Sequence, residues 1–398
     1  MLNHNENQSR LNSSELSEVN ILRSRVAIGS FFFMQGLCFS SWGARIPSIQ
    51  AQLNLSEVEL GAVLLSLPVG QLVSLPFAGW FVSKLGSHLV LIYALCFYMA
   101  TLILIGISHT SLQIIIVLCF FGIAGNLVNI STNSQAVAVE KIYKRSIMAS
   151  FHGLWSLAGF SGASLGVLMM GLEVSPLIHF LCVSFFVGLG LLFNFSHLII
   201  SPLVKGQNPT KFKWPTQSLV ILGAIAFCSM VCEGAMFDWS GVYFKKVILA
   251  ENAWTGAGYA AFMFTMASGR FVVDRFVSQL GIRKIIQISG LLTASGLLIA
   301  VLFPTLTFGV IGFLLVGAGV SAVVPLVYSA AGRSREFSPS MALSIVSTIG
   351  YFGFLIGPPL IGFVAGAADL RVSFSIIALM GLVMSAASLG INKYRTHF

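Results

Sequence analysis

The chain has 398 residues, of which 56% are hydrophobic and only 9% are charged, and its formal net charge is +9. Soluble domains carry about 25% charged residues, so this composition leaves too little polar surface for a large water-soluble body. Nucleic acid is not an expected partner, because the basic residues lie in the segments between long apolar stretches rather than on one continuous face.

Twelve apolar stretches occur along the chain, six on each side of a basic segment. A helix needs about 20 mainly apolar residues to cross a bilayer. The lipid core offers no partner to free backbone groups, and the period-two alternation of a barrel is missing, so we predict helices. The predicted spans are 25–47, 58–82, 89–107, 112–138, 146–170, 176–198, 217–243, 253–273, 285–303, 307–331, 340–366 and 371–391.

Positive charge is distributed unevenly between the two sides of the predicted bundle. Of the 22 Lys and Arg residues, all but Arg45, Lys245, Lys246 and Arg371 fall on the side of the N-terminus. Cytoplasmic loops are enriched in Lys and Arg, so we predict an integral protein of the inner membrane with both termini in the cytoplasm. Segment 1–22 is polar and lacks the features of a signal peptide, which predicts a disordered cytoplasmic tail.

Internal similarity relates the two halves of the chain. QGLCFSSWGAR at 35–45 aligns without gaps with EGAMFDWSGVY at 233–243, at an offset of about half the chain. A second pair follows the second and eighth spans: GWFVSKLGSH at 79–88 and GRFVVDRFVSQLGIRK at 269–284. The first pair shares Gly36 with Gly234, Phe39 with Phe237, and Gly43 with Gly241.

Such repetition is typical of transporters that bind their solute between two related halves. We therefore predict an all-α membrane protein whose twelve transmembrane helices form two pseudo-symmetric six-helix bundles. The predicted units are the tail 1–22, an N-terminal bundle 23–200, a cytoplasmic linker 201–216 and a C-terminal bundle 217–398. Because one chain supplies both halves, we expect it to function as a monomer in the lipid bilayer.

The twelve-span plan and the loop segments resemble the major facilitator superfamily. Its loop motif runs Gly, three variable positions, Asp, a basic residue, one variable position, Gly, and then basic residues. Ser83 replaces the Asp of the motif in the first half, which puts a charge relay there in doubt. The residues that carry the resemblance are Gly79, Lys84 and Gly86 in the first half, and Gly269, Arg270, Asp274 and Arg275 in the second.

Three longer segments resemble a narrower subgroup, the MosC-like and YbjJ-like transporters. They are MASFHGLWSLAGFSGASLG at 148–166, the segment 233–243 already described, and YFGFLIGPPLIG at 351–362. The founding member of this subgroup is associated with rhizopine, an inositol-derived compound. The resemblance therefore implies a sugar or polyol as the solute.

Two acids lie well inside a predicted span, Glu233 and Asp238. A charge at mid-bilayer costs about 3 kcal/mol on insertion scales, so such a residue is normally paired, protonated or in contact with water. Glu233 shares a helix side with Phe237, Ser240 and Tyr243, which suits a cavity face. We predict that Glu233 is the proton-coupling group; the alternative is a hydrogen bond to a neighbouring helix that only supports packing.

Asp238 lies on another side of the same predicted helix and is a second proton-coupling candidate. Arg45 has a similar predicted depth, so we predict that Arg45 and Asp238 form an outer gate or clamp a polar solute. A static pair, or two separately solvated groups, is the alternative. His152 is a third proton candidate, because an imidazole titrates near neutral pH, although a lone His in an apolar helix is more often structural.

Polar and aromatic residues of the remaining spans supply candidates for solute binding. Amides can bind hydroxyl groups, and Trp can stack on the apolar face of a sugar ring, whereas an interfacial aromatic belt is the alternative for each Trp. The candidates are Gln35, Trp42, Arg45, Asn126, Asn129, Asn133, Trp239, Tyr243 and Tyr351.

These features predict a secondary active transporter that moves a small polar solute by alternating access, driven by the proton gradient. A proton-antiport exporter of amphipathic compounds is the alternative, and uniport stays open. No Walker-type loop is present, which argues against ATP-driven transport. No clustered nucleophile, base or metal set is visible, so we expect neither an enzyme nor a cofactor or metal.

Overall fold

The structure is a computed structural model, and it describes residues 2–143, 147–200, 214–334, 337 and 339–391. The described residues form α-helices joined by short turns, with three single 3-10 turns at Phe195–His197, Asn252–Trp254 and Ser388–Gly390. The helices are α1 Leu2–Leu53, α2 Glu57–Leu85, α3 Ser87–Gly106, α4 Ser111–Tyr143, α5 Met148–Gly171, α6 Pro176–Asn194, α7 Gln217–Lys246, α8 Ala257–Leu302, α9 Leu306–Val320, α10 Val323–Gly332, α11 Pro339–Ala367 and α12 Leu370–Ala387.

Eleven helical stretches among the described residues are long and apolar enough to cross a membrane, which confirms an all-α integral membrane protein. Two predicted boundaries differ. The predicted eighth and ninth spans are continuous in α8, interrupted only at Gly281, and the predicted tenth span is divided between α9 and α10. The segment 253–273 is not among the eleven stretches, because Arg270 and its charged neighbours lower the mean hydropathy there.

The first helix is longer than predicted. α1 begins at Leu2, so helical backbone replaces the disordered tail that we predicted for residues 1–22. Extending an existing helix adds one hydrogen bond per residue without a new nucleation cost, which favours continuation of a polar segment from a stable span. The side chains of residues 2–20 lie outside the described part of the chain.

Helix packing reproduces the internal repeat. The two halves meet where α1 packs on α7, α2 on α11, and α5 on α8. Under the half-chain offset, α2 corresponds to the first part of α8 and α5 corresponds to α11. The α2–α11 and α5–α8 contacts are therefore equivalent. Phe39 and Phe237, which are equivalent residues, meet with ring centroids 5.3 Å apart. Contact between equivalent residues is the property expected along a pseudo-two-fold axis.

The structure corrects the register of the second repeat. Gly86 and Gly281 have φ of 83° and 78°, values that glycine adopts readily and other residues avoid. The matching hexapeptides are therefore FVSKLG at 81–86 and FVSQLG at 276–281. In this register Asp274, not Gly269, corresponds to Gly79. Gly269 and Arg270 lie within α8 and not in a loop, and the same holds for Gly79 and Lys84, which lie in α2.

The two ends of the bundle can be named from the chain path. We call the end where α7 begins at Gln217 the linker face, and the end that carries the α1–α2, α5–α6 and α7–α8 connections the far face. The predicted linker 201–216 falls mostly outside the described residues, so its boundaries remain a prediction.

Gly70 sets the closest approach of α2 to α4. A Cβ added at Gly70 would overlap the backbone carbonyl of Cys119, whereas one added at Gly79 in the same helix would meet nothing within 4 Å. We expect Gly70→Ala to cost about 1–3 kcal/mol of stability, because the two helices must separate. The measurement is thermal unfolding of the purified protein. The control Gly79→Ala should keep or raise the wild-type Tm, and equal Tm values for the two variants would contradict the packing.

Candidate functional site

A cavity of about 370 Å³ lies between the two halves of the bundle. This volume falls in the range of small-molecule sites. Its aromatic lining consists of Phe32, Phe39, Tyr98, Trp155, Phe237, Tyr351 and Phe354. Its polar lining consists of the amides Gln35, Gln71, Asn126 and Asn129 and the titratable groups His152, Glu233, Asp238 and Arg270. In the described part of the chain, no group of three or more His, Cys, Asp or Glu could hold a metal ion.

The cavity is accessible from the linker face. Among its lining residues, Asn129 and His152 are exposed, and His152 lies one turn from the start of α5 at that face. Toward the far face the bundle is filled by Trp42 and Trp239, which are 1% and 0% exposed. At the far face itself, Lys246 Nζ of α7 and Glu57 Oε1 of α2 form an ion pair at 2.5 Å that joins the two halves.

Glu233 and Arg270 form an ion pair inside the cavity. Arg270 Nη2 lies 3.7 Å from Glu233 Oε1, and the side chains are 20% and 8% exposed. Both residues lie about 20 Å from the far ends of their helices, by the helical rise of about 1.5 Å per residue. Arg270 Nη1 also donates to Ser156 Oγ at 2.7 Å. Arg270 of α8 therefore connects Glu233 of α7 with α5 of the other half.

Asp238 lines the same cavity about 12 Å from the far end of α7. In the described part of the chain, no hydrogen-bond donor or cation partners its carboxyl group. Glu233 and Asp238 thus share one cavity although they do not share a helix face. Their surroundings differ, because only Glu233 has a cationic partner.

A hydrogen-bonded group of amides crosses from one half to the other. Asn126 Nδ2 donates to Ser74 Oγ at 2.7 Å, and the hydroxyl of Tyr351 donates to Gln71 Oε1 at 2.5 Å. Gln35 Nε2 reaches the carbonyl of Gly125 at 3.4 Å, while its buried Oε1 has no partner among the described residues. Gln35 of α1 therefore keeps one acceptor that is buried and unpaired within the part of the chain that the structure describes.

The structure places four predicted solute-binding residues in this lining, namely Gln35, Asn126, Asn129 and Tyr351. Asn133 lies one turn beyond them and donates to Asn129 Oδ1 at 2.8 Å. Gln71 and Ser156 were not predicted. Gln71 could have been found as a lone amide in an apolar span, but nothing in the sequence distinguishes Ser156 from the other serines of the spans.

Trp42, Trp239 and Tyr243 do not line the cavity in this structure, which therefore supports neither the predicted stacking of the two Trp rings on solute nor solute binding by Tyr243. Both Trp side chains are fully enclosed, which also excludes an interfacial aromatic belt. The Tyr243 hydroxyl donates to the Ala300 carbonyl at 3.0 Å, and its ring stacks on Phe374 with centroids 4.3 Å apart. Helical periodicity on one span cannot separate a face toward a cavity from a face toward another helix.

The predicted pairing of Arg45 with Asp238 is also wrong for this structure. Arg45 is 2% exposed and donates from Nε to His179 Nδ1 at 3.1 Å and from Nη2 to the Val174 carbonyl at 2.7 Å. Its partners belong to α6 and the turn before it, within the same half of the chain. The pseudo-equivalence of α1 and α7 places Arg45 at a depth similar to that of Asp238, but it does not determine the direction in which the Arg45 side chain points.

His152 lies at the entrance of the cavity, with its ring 5.2 Å from the ring of Phe32. Among the loop-motif residues, Lys84 Nζ lies 4.7 Å from the ring centroid of Trp80, and both are near the linker face. The side chain of Asp274 lies outside the described residues. Arg275 follows it in α8.

Comparison with known proteins identifies the family. The family model of the Major Facilitator Superfamily matches residues 26–335 and 250–394, so the chain belongs to this superfamily of transporters and is not an enzyme. It is 32% identical to an uncharacterised MFS-type transporter of Yersinia pestis, over 91% of this chain and 94% of that relative.

A second relative is membrane protein MosC of Rhizobium meliloti, at 30% identity over 93% of this chain and 90% of that protein. Among solved structures, a mutant form of the nucleoside transporter NupG superposes with a TM-score of 0.75 at 16% identity. That superposition covers 93% of this chain and 100% of the other, and at this identity it shows the fold alone.

A double-mutant comparison tests the pairings in the structure. We expect the Tm shifts of Arg45→Gln and Asp238→Asn to add in the double variant, because the two side chains have no common partner. For Glu233→Gln and Arg270→Gln we expect an interaction energy of about 0.5–3 kcal/mol, because each single change leaves an unpaired charge. Additive shifts for the second pair, or coupled shifts for the first, would contradict the assigned partners.

Proposed function

We propose that this transporter moves a small polar solute, such as a sugar, polyol or a derivative, across the inner membrane together with a proton. Glu233 is the proton-coupling residue. The observation that carries the proposal is the Glu233–Arg270 ion pair in the wall of a cavity accessible from one face. An ion pair in such surroundings keeps both charges only while each retains the other or gains a substitute.

Proton transfer changes the partners of Arg270. While Glu233 is ionised, it neutralises Arg270. When Glu233 takes up a proton, Arg270 keeps its hydrogen bond to Ser156 at 2.7 Å and becomes free to donate to an oxygen of the solute. Because these side chains belong to α7, α8 and α5, the exchange of partners acts on the contact between the halves. Proton binding and solute binding therefore bias the same rearrangement.

The cavity lining favours a solute with both hydroxyl groups and an apolar face. The amides of Gln35, Gln71 and Asn126 can bind hydroxyls, and the rings of Phe39 and Trp155 can contact an apolar surface. NupG transports nucleosides by name, and a nucleoside combines ribose hydroxyls with a planar base. The aromatic lining equally supports the alternative, a proton-antiport exporter of amphipathic compounds.

Orientation follows from the distribution of Lys and Arg. If the linker face is cytoplasmic, the structure corresponds to an inward-accessible state, and both termini are cytoplasmic. A single chain carries both halves and the whole cavity, so we propose that a monomer is the functional unit. His152 at the entrance is a candidate relay for the proton between Glu233 and the cytoplasm.

If Glu233 couples proton transport to solute transport, its neutralisation should abolish proton movement. In vesicles that contain the full chain, we expect addition of a transported sugar, polyol or nucleoside to move protons with wild type but not with Glu233→Gln. Exchange of labelled solute should persist in the variant, because a neutral side chain mimics the protonated state. The measurement is internal pH beside labelled-solute flux.

Glu251→Gln is the matched control, because Glu251 is an exposed acid outside the cavity. It should retain wild-type proton movement. Proton movement that survives in Glu233→Gln would remove Glu233 from coupling, and solute flux without any proton signal in wild type would indicate uniport or another ion.

Alternating access requires the far face to open, and the Glu57–Lys246 pair opposes that opening. We expect Lys246→Met to raise the far-side-open population up to about five-fold, because a partly exposed pair contributes about 0–1 kcal/mol. Distances between spin labels at Leu172 and Ala368, both exposed on far-face turns, report the change after the exposed Cys96 and Cys182 are replaced.

Lys245→Met is the control for this measurement, because in the described part of the chain Lys245 has no carboxylate partner. It should leave the distance distribution unchanged. Identical distributions for Lys246→Met and wild type would mean that the ion pair does not hold the far face closed.

A further inference from the structure

We propose that Asp238 binds a protonated amine of the solute, so that the transported class is an amine-bearing polar compound rather than a neutral or acidic one. The inference deepens the proposed function and rests on it for the statement that this cavity is the transport site. Three observations carry it: the missing partner of Asp238, the charge of the cavity and the arrangement of its aromatic rings.

The carboxyl group of Asp238 lines the cavity without a donor beside it in the described part of the chain. An ionised carboxylate accepts hydrogen bonds through both oxygens and donates none. Glu233, on the same helix, has Arg270 as its partner. Asp238 therefore has unused acceptor capacity facing the space that the solute enters, and a hydrogen-bond donor on the solute can use it.

The cavity contains two carboxyl groups but only one guanidinium group among its lining residues. Besides the neutral hydroxyl groups of Tyr98 and Tyr351, its titratable and charged groups are His152, Glu233, Asp238 and Arg270. The Glu233–Arg270 pair sums to zero and a neutral His152 adds nothing, so Asp238 decides the charge of the cavity, which is neutral while Asp238 is protonated and negative once it is ionised. A charge in low-dielectric surroundings is costly unless an opposite charge accompanies it. A monocation restores neutrality, whereas a carboxylate or phosphate on the solute adds to the imbalance.

Aromatic rings that line the same cavity suit the same ligand. Phe237 precedes Asp238 in the chain, and its ring lies 5.3 Å from Phe39, 6.5 Å from Trp155 and 6.5 Å from Phe354, centroid to centroid. All four rings line the cavity. Aromatic faces attract ammonium groups within about 6 Å, and Trp does so most strongly. A cation bound at Asp238 would thus share the cavity with these four rings.

The test compares matched probes that differ in one group. On a hexose scaffold the probes are glucosamine, glucose, N-acetylglucosamine and glucuronate; on a small aromatic scaffold they are tyramine and tyrosol. Binding is measured as the rise in Tm of the purified full chain with increasing probe, without a proton gradient. The proteins are wild type, Asp238→Asn and the control Glu251→Gln, which removes an acid outside the cavity.

We expect the amine of at least one scaffold to bind wild type about 10- to 100-fold more tightly than its hydroxyl partner, the range for one charge-assisted hydrogen bond. The preference should persist in Glu251→Gln and disappear in Asp238→Asn. If Asp238→Asn does not fold, the amine-to-hydroxyl ratio on wild type decides alone. Equal binding of both members, preference for glucuronate, no binding by either amine, or an unchanged preference in Asp238→Asn would overturn the proposal.

This equilibrium measurement separates the inference from the coupling mechanism. Amine preference at Asp238 together with proton movement that survives Glu233→Gln would support the solute class and reject the coupling role of Glu233. Equal binding of neutral and amine probes, with proton movement lost in Glu233→Gln, would give the opposite conclusion.

Discussion

The ion pair between Glu233 and Arg270 is the interaction on which the rest of this transporter depends. Each charge would be costly alone within a membrane-embedded cavity, and each reduces the cost of the other. Arg270 also donates to Ser156 across the boundary between the halves. A change of charge at this point therefore alters the contact on which alternating access acts, and it does so where solute would contact both halves.

The pseudo-two-fold repeat explains how this pair stays in a closed bundle. Equivalent contacts of α2 with α11 and of α5 with α8 hold the halves together on both sides of the α1–α7 contact. Toward the far face the space is filled by enclosed aromatic side chains such as Trp42 and Trp239. The far face is thus closed mainly by packing, with a small electrostatic contribution from the Glu57–Lys246 pair.

The sequence predicted the spans, the two related halves and the importance of Glu233, because hydropathy and intramembrane acids are direct consequences of the lipid solvent. It failed where direction matters. Arg45 was expected to face Asp238 and instead contacts His179. Arg270 was assigned to a loop because a motif register was shifted; the backbone of Gly281 corrected the register, which the hexapeptides at 81–86 and 276–281 could also have shown. The depth of a residue in the membrane can be predicted from its position in one helix. The direction of its side chain depends on how neighbouring helices pack against that helix.

Infrared difference spectroscopy of solute binding tests the central claim most directly. If Glu233 exchanges its proton as Arg270 turns to the solute, adding a transported solute to the purified wild-type protein must change a carboxyl stretching band. That change must be absent in Glu233→Gln and present in Glu251→Gln. A solute-induced carboxyl signal that is identical in wild type and Glu233→Gln, or no carboxyl signal on binding, would contradict the account.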